Sequence, residues 1–151
     1  MELSKITKQY WVEKDWQDLK RAESIADLYV IATRVINRLP KPIVTVCGPI
    51  ATGGLGSIDK NLNAFNQMII RLQNSGLNVF DQMPFEETMQ ELTRKLQKGE
   101  YPESILKDFY LPIFESGMIS ESYFIPGWES SHGANWEHDQ FKRLCIKINY
   151  C

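Results

Sequence analysis

The residues best placed to do chemistry lie in one run, Gly127-Trp128-Glu129-Ser130-Ser131-His132-Gly133-Ala134-Asn135-Trp136-Glu137. It sets serines, a histidine and carboxylates beside small residues. Ser131 suits a helix N-cap, and its hydroxyl is equally able to bind a ligand oxygen. Gly133 permits close approach of a ligand. Glu137 falls on the first turn of the helix that follows, where the helix dipole favours the ionised form. An ionised carboxylate is the group that attacks a sugar anomeric carbon. Taken alone, Glu137 is better read as an acid that stabilises its own helix by a few tenths of a kcal/mol, up to about 1.

A second run, Cys47-Gly48-Pro49-Ile50-Ala51-Thr52-Gly53-Gly54, lets backbone approach something closely. It lacks both the Gly-Lys-Ser/Thr ending of a P-loop and the G-x-G-x-x-G of a dinucleotide site. A glycine-rich turn needed only for chain reversal is the competing reading. Other candidates weigh less. His132 and His138 are not spaced i, i+4, and no Cys or Asp set completes a metal site, so no metal is expected. Cys47 has no base visible beside it and reads as a small buried hydrophobe. Arg94-Lys95-Leu96-Gln97-Lys98 reads as a solvated helix end that complements the dipole.

Both runs must be held by regular elements. Residues 12–39 carry Trp16, Leu19, Ile25, Leu28, Val30, Ile31, Val35 and Ile36 at roughly helical period, and Pro40 and Pro42 end that helix. Its polar start is either a separate short helix or an arm. Ile43–Cys47 is a β-branched run expected to be a buried strand. Ser57 or Asp59 caps a helix to about Asn74, closed by Gly76. Residues 77–81 form a second strand and Phe85–Gln97 a helix stopped by Lys98-Gly99. Pro102 starts a helix over Glu103–Ser116. Residues 120–125 are a third strand, Trp136–Leu144 a helix and 145–149 a fourth strand. This alternation predicts an α/β three-layer sandwich with a small parallel sheet of about four strands behind an N-terminal helix. Residues 1–40 form an N-terminal extension and 41–151 the domain. In such sheets ligands bind beyond the carboxyl ends of the strands, where both loops run into helix N-termini.

Composition agrees with one globular domain: 151 residues, 43% hydrophobic, 11% aromatic and 24% charged, with 17 Lys+Arg against 19 Asp+Glu. The net charge of −2 argues against a general nucleic-acid binder. No window is apolar enough to span a membrane, and the N-terminal stretch has no leader-like core. Three cysteines are too few and too scattered for a disulfide framework. A cytoplasmic, reduced protein is expected.

The two loops together resemble those of the nucleoside 2-deoxyribosyltransferase-like superfamily, chiefly its small bacterial and phage members. Val46-Cys47-Gly48-Pro49-Ile50 with Gly53-Gly54 looks like the family's opening strand and loop. Leu72 through Gly76 to Phe80-Asp81 looks like its helix-to-strand step. Ser131-x-Gly133-x-x-x-Glu137 matches its S-x-G-x-x-x-E signature, approached through Ile125-Pro126-Gly127-Trp128. The likeness runs from about residue 43 to 149. It implies a flavodoxin-like (Rossmann-like) sheet, and a cleft that binds a 2′-deoxynucleoside or its 5′-monophosphate. It implies Glu137 as nucleophile at C1′, with transfer to a second base or hydrolysis by water, and no cofactor. Gly48, Pro49, Ile50, Gly53, Gly54, Ser131 and Gly133 would hold sugar or phosphate, and Glu121 or Asp108 would assist. Trp128 and Trp136 would stack on a base or simply pack. Homo-oligomers are usual in the family, and exposed Trp11 and Trp16 are compatible with that. A nucleotide-binding or sensing module without catalysis, or an interaction protein, is the alternative expectation.

Overall fold

The computed structural model describes residues 1–94 and 102–151. The β-branched run becomes β1 (Ile43–Cys47), buried along its whole length. Three further strands join it: β2 (Asn78–Phe80), β3 (Ile119–Phe124) and β4 (Lys147–Tyr150). They form one parallel sheet in the order β2-β1-β3-β4. The chain is therefore α/β with a small four-stranded parallel sheet, as its alternation of elements predicts.

Side chains of β1 alternate between two cores, as a period of two requires. Val44 and Val46 face Phe65, Ile69 and Val79 on the side of α4 (Ile58–Asn74). Ile43 and Cys47 join the larger core on the opposite face, with Phe80, Phe109, Phe114, Phe124 and Phe141. Three N-terminal helices precede the sheet: α1 (Lys5–Gln9), α2 (Glu13–Arg21) and α3 (Ile25–Arg38). The helical stretch expected over 12–39 divides at Ala22-Glu23-Ser24, its polar start being the separate short helix α2. Ser24 is the cause: its hydroxyl accepts from the Asp27 amide while Asp27 accepts from the Ser24 amide, a reciprocal cap that starts α3 afresh. Ile25, Leu28, Ile31, Ala32, Val35 and Ile36 of α3 share the larger core with the sheet. Trp11 and Trp16, expected to be exposed, stack on each other at 4.4 Å, and Trp11 also packs on Phe85. Trp11 is only 6% exposed. These rings serve the fold of one chain.

After β2 a 3-10 turn (Met83–Phe85) leads into α5 (Glu86–Thr93). The expected continuation of that helix past Arg94, and its Lys98-Gly99 stop, lie outside the described residues. The helix expected over 103–116 is present as α6 (Glu103–Ile105), a π turn (Leu106–Tyr110) and α7 (Leu111–Glu115). Pro112 has no N–H to offer the carbonyl four residues back, at Asp108, which favours the widened turn there. The second loop ends in α8 (His132–Arg143). No helix of the described residues is long and apolar enough to cross a membrane.

Candidate active site

The strand order places β2 and β3 on either side of β1, so the chain moves one way from β1 to β2 and then back past β1 to β3. The crevice at such a reversal, beyond the carboxyl ends of the strands, is where open α/β sheets bind ligands. A cavity of about 100 Å³ lies there, walled by residues of both loops together with α5, the π turn and α8.

The two loops are tied to each other and to α4. Asn61 of α4 donates to the carbonyls of Ile50 (2.9 Å) and Gly53 (3.1 Å) and accepts from the Leu55 amide at 2.8 Å. The Gly54 amide donates to Ser130 Oγ at 2.8 Å, and the His132 amide donates to Thr52 Oγ1 at 3.1 Å. Gly53 and Gly54 have φ near +67° and +68°. A Cβ on Gly53 would overlap the Ser130 carbonyl, and one on Gly54 would overlap Asn61 and Pro49. These glycines allow loop to seat on loop.

Glu137 reaches the cavity wall together with Gly48, Ile50, Ser131 and Gly133. Ser131 caps α8, its hydroxyl accepting from the Ala134 amide at 3.2 Å. The Cys47 thiol donates to Glu137 Oε2 at 3.2 Å. The expectation of an ionised Glu137 is corrected here. Burial pushes its carboxyl up to about 8; the Cys47 hydrogen bond lowers it, and charge on Glu86 raises it further. Burial likewise lifts the Cys47 thiol well above its usual range, with Glu137 adding to the effect, so Cys47 is not an activated nucleophile.

The other expected site residues are dispersed. Pro49 and Gly54 line a neighbouring cavity of about 190 Å³ with Ser130 and Ile125. Trp128 is not in the wall of the Glu137 cavity: its ring stacks on His138 at 4.3 Å and lies 6.2 Å from Tyr150. Trp136 packs toward Phe114. Glu121 lies within β3, opposite Lys147 of β4, and pairs with its ammonium at 3.3 Å, away from the strand ends. Asp108 is on the exposed side of the π turn. Neither acid is among the residues that wall the cavity.

Two wall residues escape the sequence reading: Gln82 and Glu86. Gln82 is 2% exposed. Its Nε2 donates to the Val46 carbonyl at 3.0 Å, while its Oε1 is buried with no hydrogen-bond partner. Burial pushes the Glu86 carboxyl up to about 8, and charge on Asp81 adds to it. Asp81 is buried too, accepting from Thr7 Oγ1 at 2.7 Å and the Met83 amide at 2.8 Å. Gln73 and Ser4 complete this network, so α1 braces the turn from which Gln82 and Glu86 project. A signal was legible. Gln82 directly follows the strand expected over 77–81, and Glu86 stands three residues before inward-facing Met89, on the same helix face.

Two raised carboxyls and an unmet amide oxygen in one small cavity can donate and accept protons and can stabilise positive charge. Among the described residues, no group of His, Cys, Asp and Glu is arranged to hold a metal. No family model, curated protein or solved structure matches the chain.

Proposed function

We propose that the chain is an N-glycosyl enzyme that cleaves or exchanges the base of a 2′-deoxynucleoside or its 5′-monophosphate, with Glu137 as the nucleophile. The observation that carries this reading is that Glu137 lines the cavity at the sheet's reversal point, with a second buried carboxyl, Glu86, in the same wall. Two carboxyls in one cavity wall are the equipment for glycosidic chemistry, because one group attacks while the other carries the proton. In the proposed step Glu137 first gives its proton to water; its carboxylate oxygen then bonds to C1′ and the C1′–N bond breaks. The departing base takes the proton of Glu86. Water then adds at C1′, frees Glu137 and returns a proton to Glu86; a second base in place of water gives exchange. Ser131, Gly133 and the Gly48–Ile50 backbone hold the sugar.

The test is incubation with a panel of deoxynucleosides and their monophosphates, with free base read by chromatography. Base release is expected from at least one member. Glu137→Gln, which keeps the shape, is expected to lower it by ~10³-fold or more while circular dichroism stays unchanged. Release that persists in Glu137→Gln, or no release from any member, defeats the proposal. Ligand-induced thermal stabilisation without product would point instead to a nucleotide-binding module. The burial that raises the proton affinity of Glu137 favours this second reading.

A further inference from the structure

The wall formed by Gln82, Glu86 and Glu137 has a consistent chemical character. Gln82 offers a buried acceptor oxygen that nothing in the protein meets. Both glutamates are buried, at 7% and 8% exposure. No Lys or Arg is among the described residues that wall the cavity. The remaining described wall is largely apolar, with Ile50, Phe65, Met89 and Leu106. An unmet acceptor and two buried acids in a largely apolar wall favour a ligand with N–H or O–H donors and a positive charge. The cavity is about 100 Å³, on the scale of one small ring, and the five-membered ring is chosen on the glycosyl reading.

We infer that Gln82, Glu86 and Glu137 form a binding site for a small hydroxylated five-membered ring bearing positive charge, a cyclic ammonium ion being its stable form. The inference rests on the glycosyl reading for its biological sense, because cleavage at C1′ passes through a cationic sugar ring. Among the described residues, the titratable groups packed around the site are Cys47 of β1, Asp81 after β2, Glu86 of α5, Tyr110 of the π turn and Glu137 of α8. Glu86 and Glu137, pushed up to about 8, are the carboxyls that acquire charge when a cation arrives. The ammonium enters already charged. One carboxyl O–H then gives its proton to water, and the resulting carboxylate pairs with the ligand N–H while Gln82 Oε1 accepts a second donor.

The test compares two probes by titration calorimetry on the full chain: a protonated pyrrolidine with one hydroxyl and one hydroxymethyl group, and the tetrahydrofuran of the same shape. Near neutral pH the pyrrolidine is expected to bind at least ~10-fold tighter than its neutral counterpart. Repeating the titration in buffers of different ionisation enthalpy is expected to show net release of about one proton. Glu86→Gln and Glu137→Gln should each weaken pyrrolidine binding by ~10-fold or more. Gln82→Met should weaken it less and leave proton release unchanged. Equal affinity for the two probes, no binding of either, or binding that survives the amide variants overturns the inference. Tight pyrrolidine binding in a protein that releases no base keeps the cation site and removes the glycosyl reading. Base release with no preference for the charged ring does the reverse.

Discussion

Glu137 stands where two physical effects oppose each other. The N-terminus of α8 favours its ionised form by about 0.3–1 kcal/mol, and by ~2 at most. Full burial raises a carboxyl by up to ~3–5 pK units at about 1.4 kcal/mol each. Burial wins, and the group is held up to about 8. Charge on Glu86 contributes, so Glu86→Gln is expected to lower the Glu137 midpoint by about half a unit or more. Carbon-detected NMR of the labelled carboxyl reads this directly, and an unmoved midpoint would mean that charge at Glu86 does not reach Glu137. Cys47 gives a second residue-scale prediction. It is fully buried and its thiol is pushed up, whereas Cys145 and Cys151 are exposed. Iodoacetamide on the native protein is expected to label Cys145 and Cys151 and spare Cys47. Rapid native labelling of Cys47, read by peptide mass spectrometry, would contradict its burial.

At the scale of elements, the site depends on two loops locked together by Asn61, Gly53 and Ser130. Gly53→Ala asks a side chain to occupy both a positive φ and the space of the Ser130 carbonyl. It is expected to destabilise the protein by about 1–3 kcal/mol in urea unfolding and to lower base release with it. Asn61→Ala leaves the Ile50 and Gly53 carbonyls and the Leu55 amide without their partner, and a similar loss is expected. A normal urea midpoint in both variants would show that the loops hold their shape without this clamp. The clamp also explains which sequence signals were informative. Ser131 and the glycines announced a bend and a helix start. The partners that fix the bend, Asn61 from α4 and Ser130 from the other loop, lie 8 and 77 residues from Gly53 along the chain, so no local pattern could connect them.

At the scale of the whole molecule, two carboxyls buried in a small cavity make folding sensitive to pH. Glu86 and Glu137 shift from 4.5 in an ordinary setting to about 8 in the fold. The folded chain therefore holds more protons than the unfolded chain between those values, and stability falls as pH rises through that window. Above about 8 the loss is complete. Glu86→Gln/Glu137→Gln cannot ionise there, so its stability relative to the parent should grow steadily from pH 4.5 to 8, by several kcal/mol. Urea midpoints across that range check it, and a constant difference would mean that the two acids are already ionised in the fold. The sequence by itself determined the element types, the parallel α/β class and the position of Glu137 at a strand-end loop, because hydrophobic period, caps and breakers act over a few residues. Only the tertiary structure decided that α1 braces the turn after β2, that Gln82 and Glu86 complete the wall, that Glu121 and Asp108 stand apart, and that burial raises the proton affinity of Glu137. Those outcomes depend on which distant surfaces exclude water from a side chain, and burial is a property of the packed molecule.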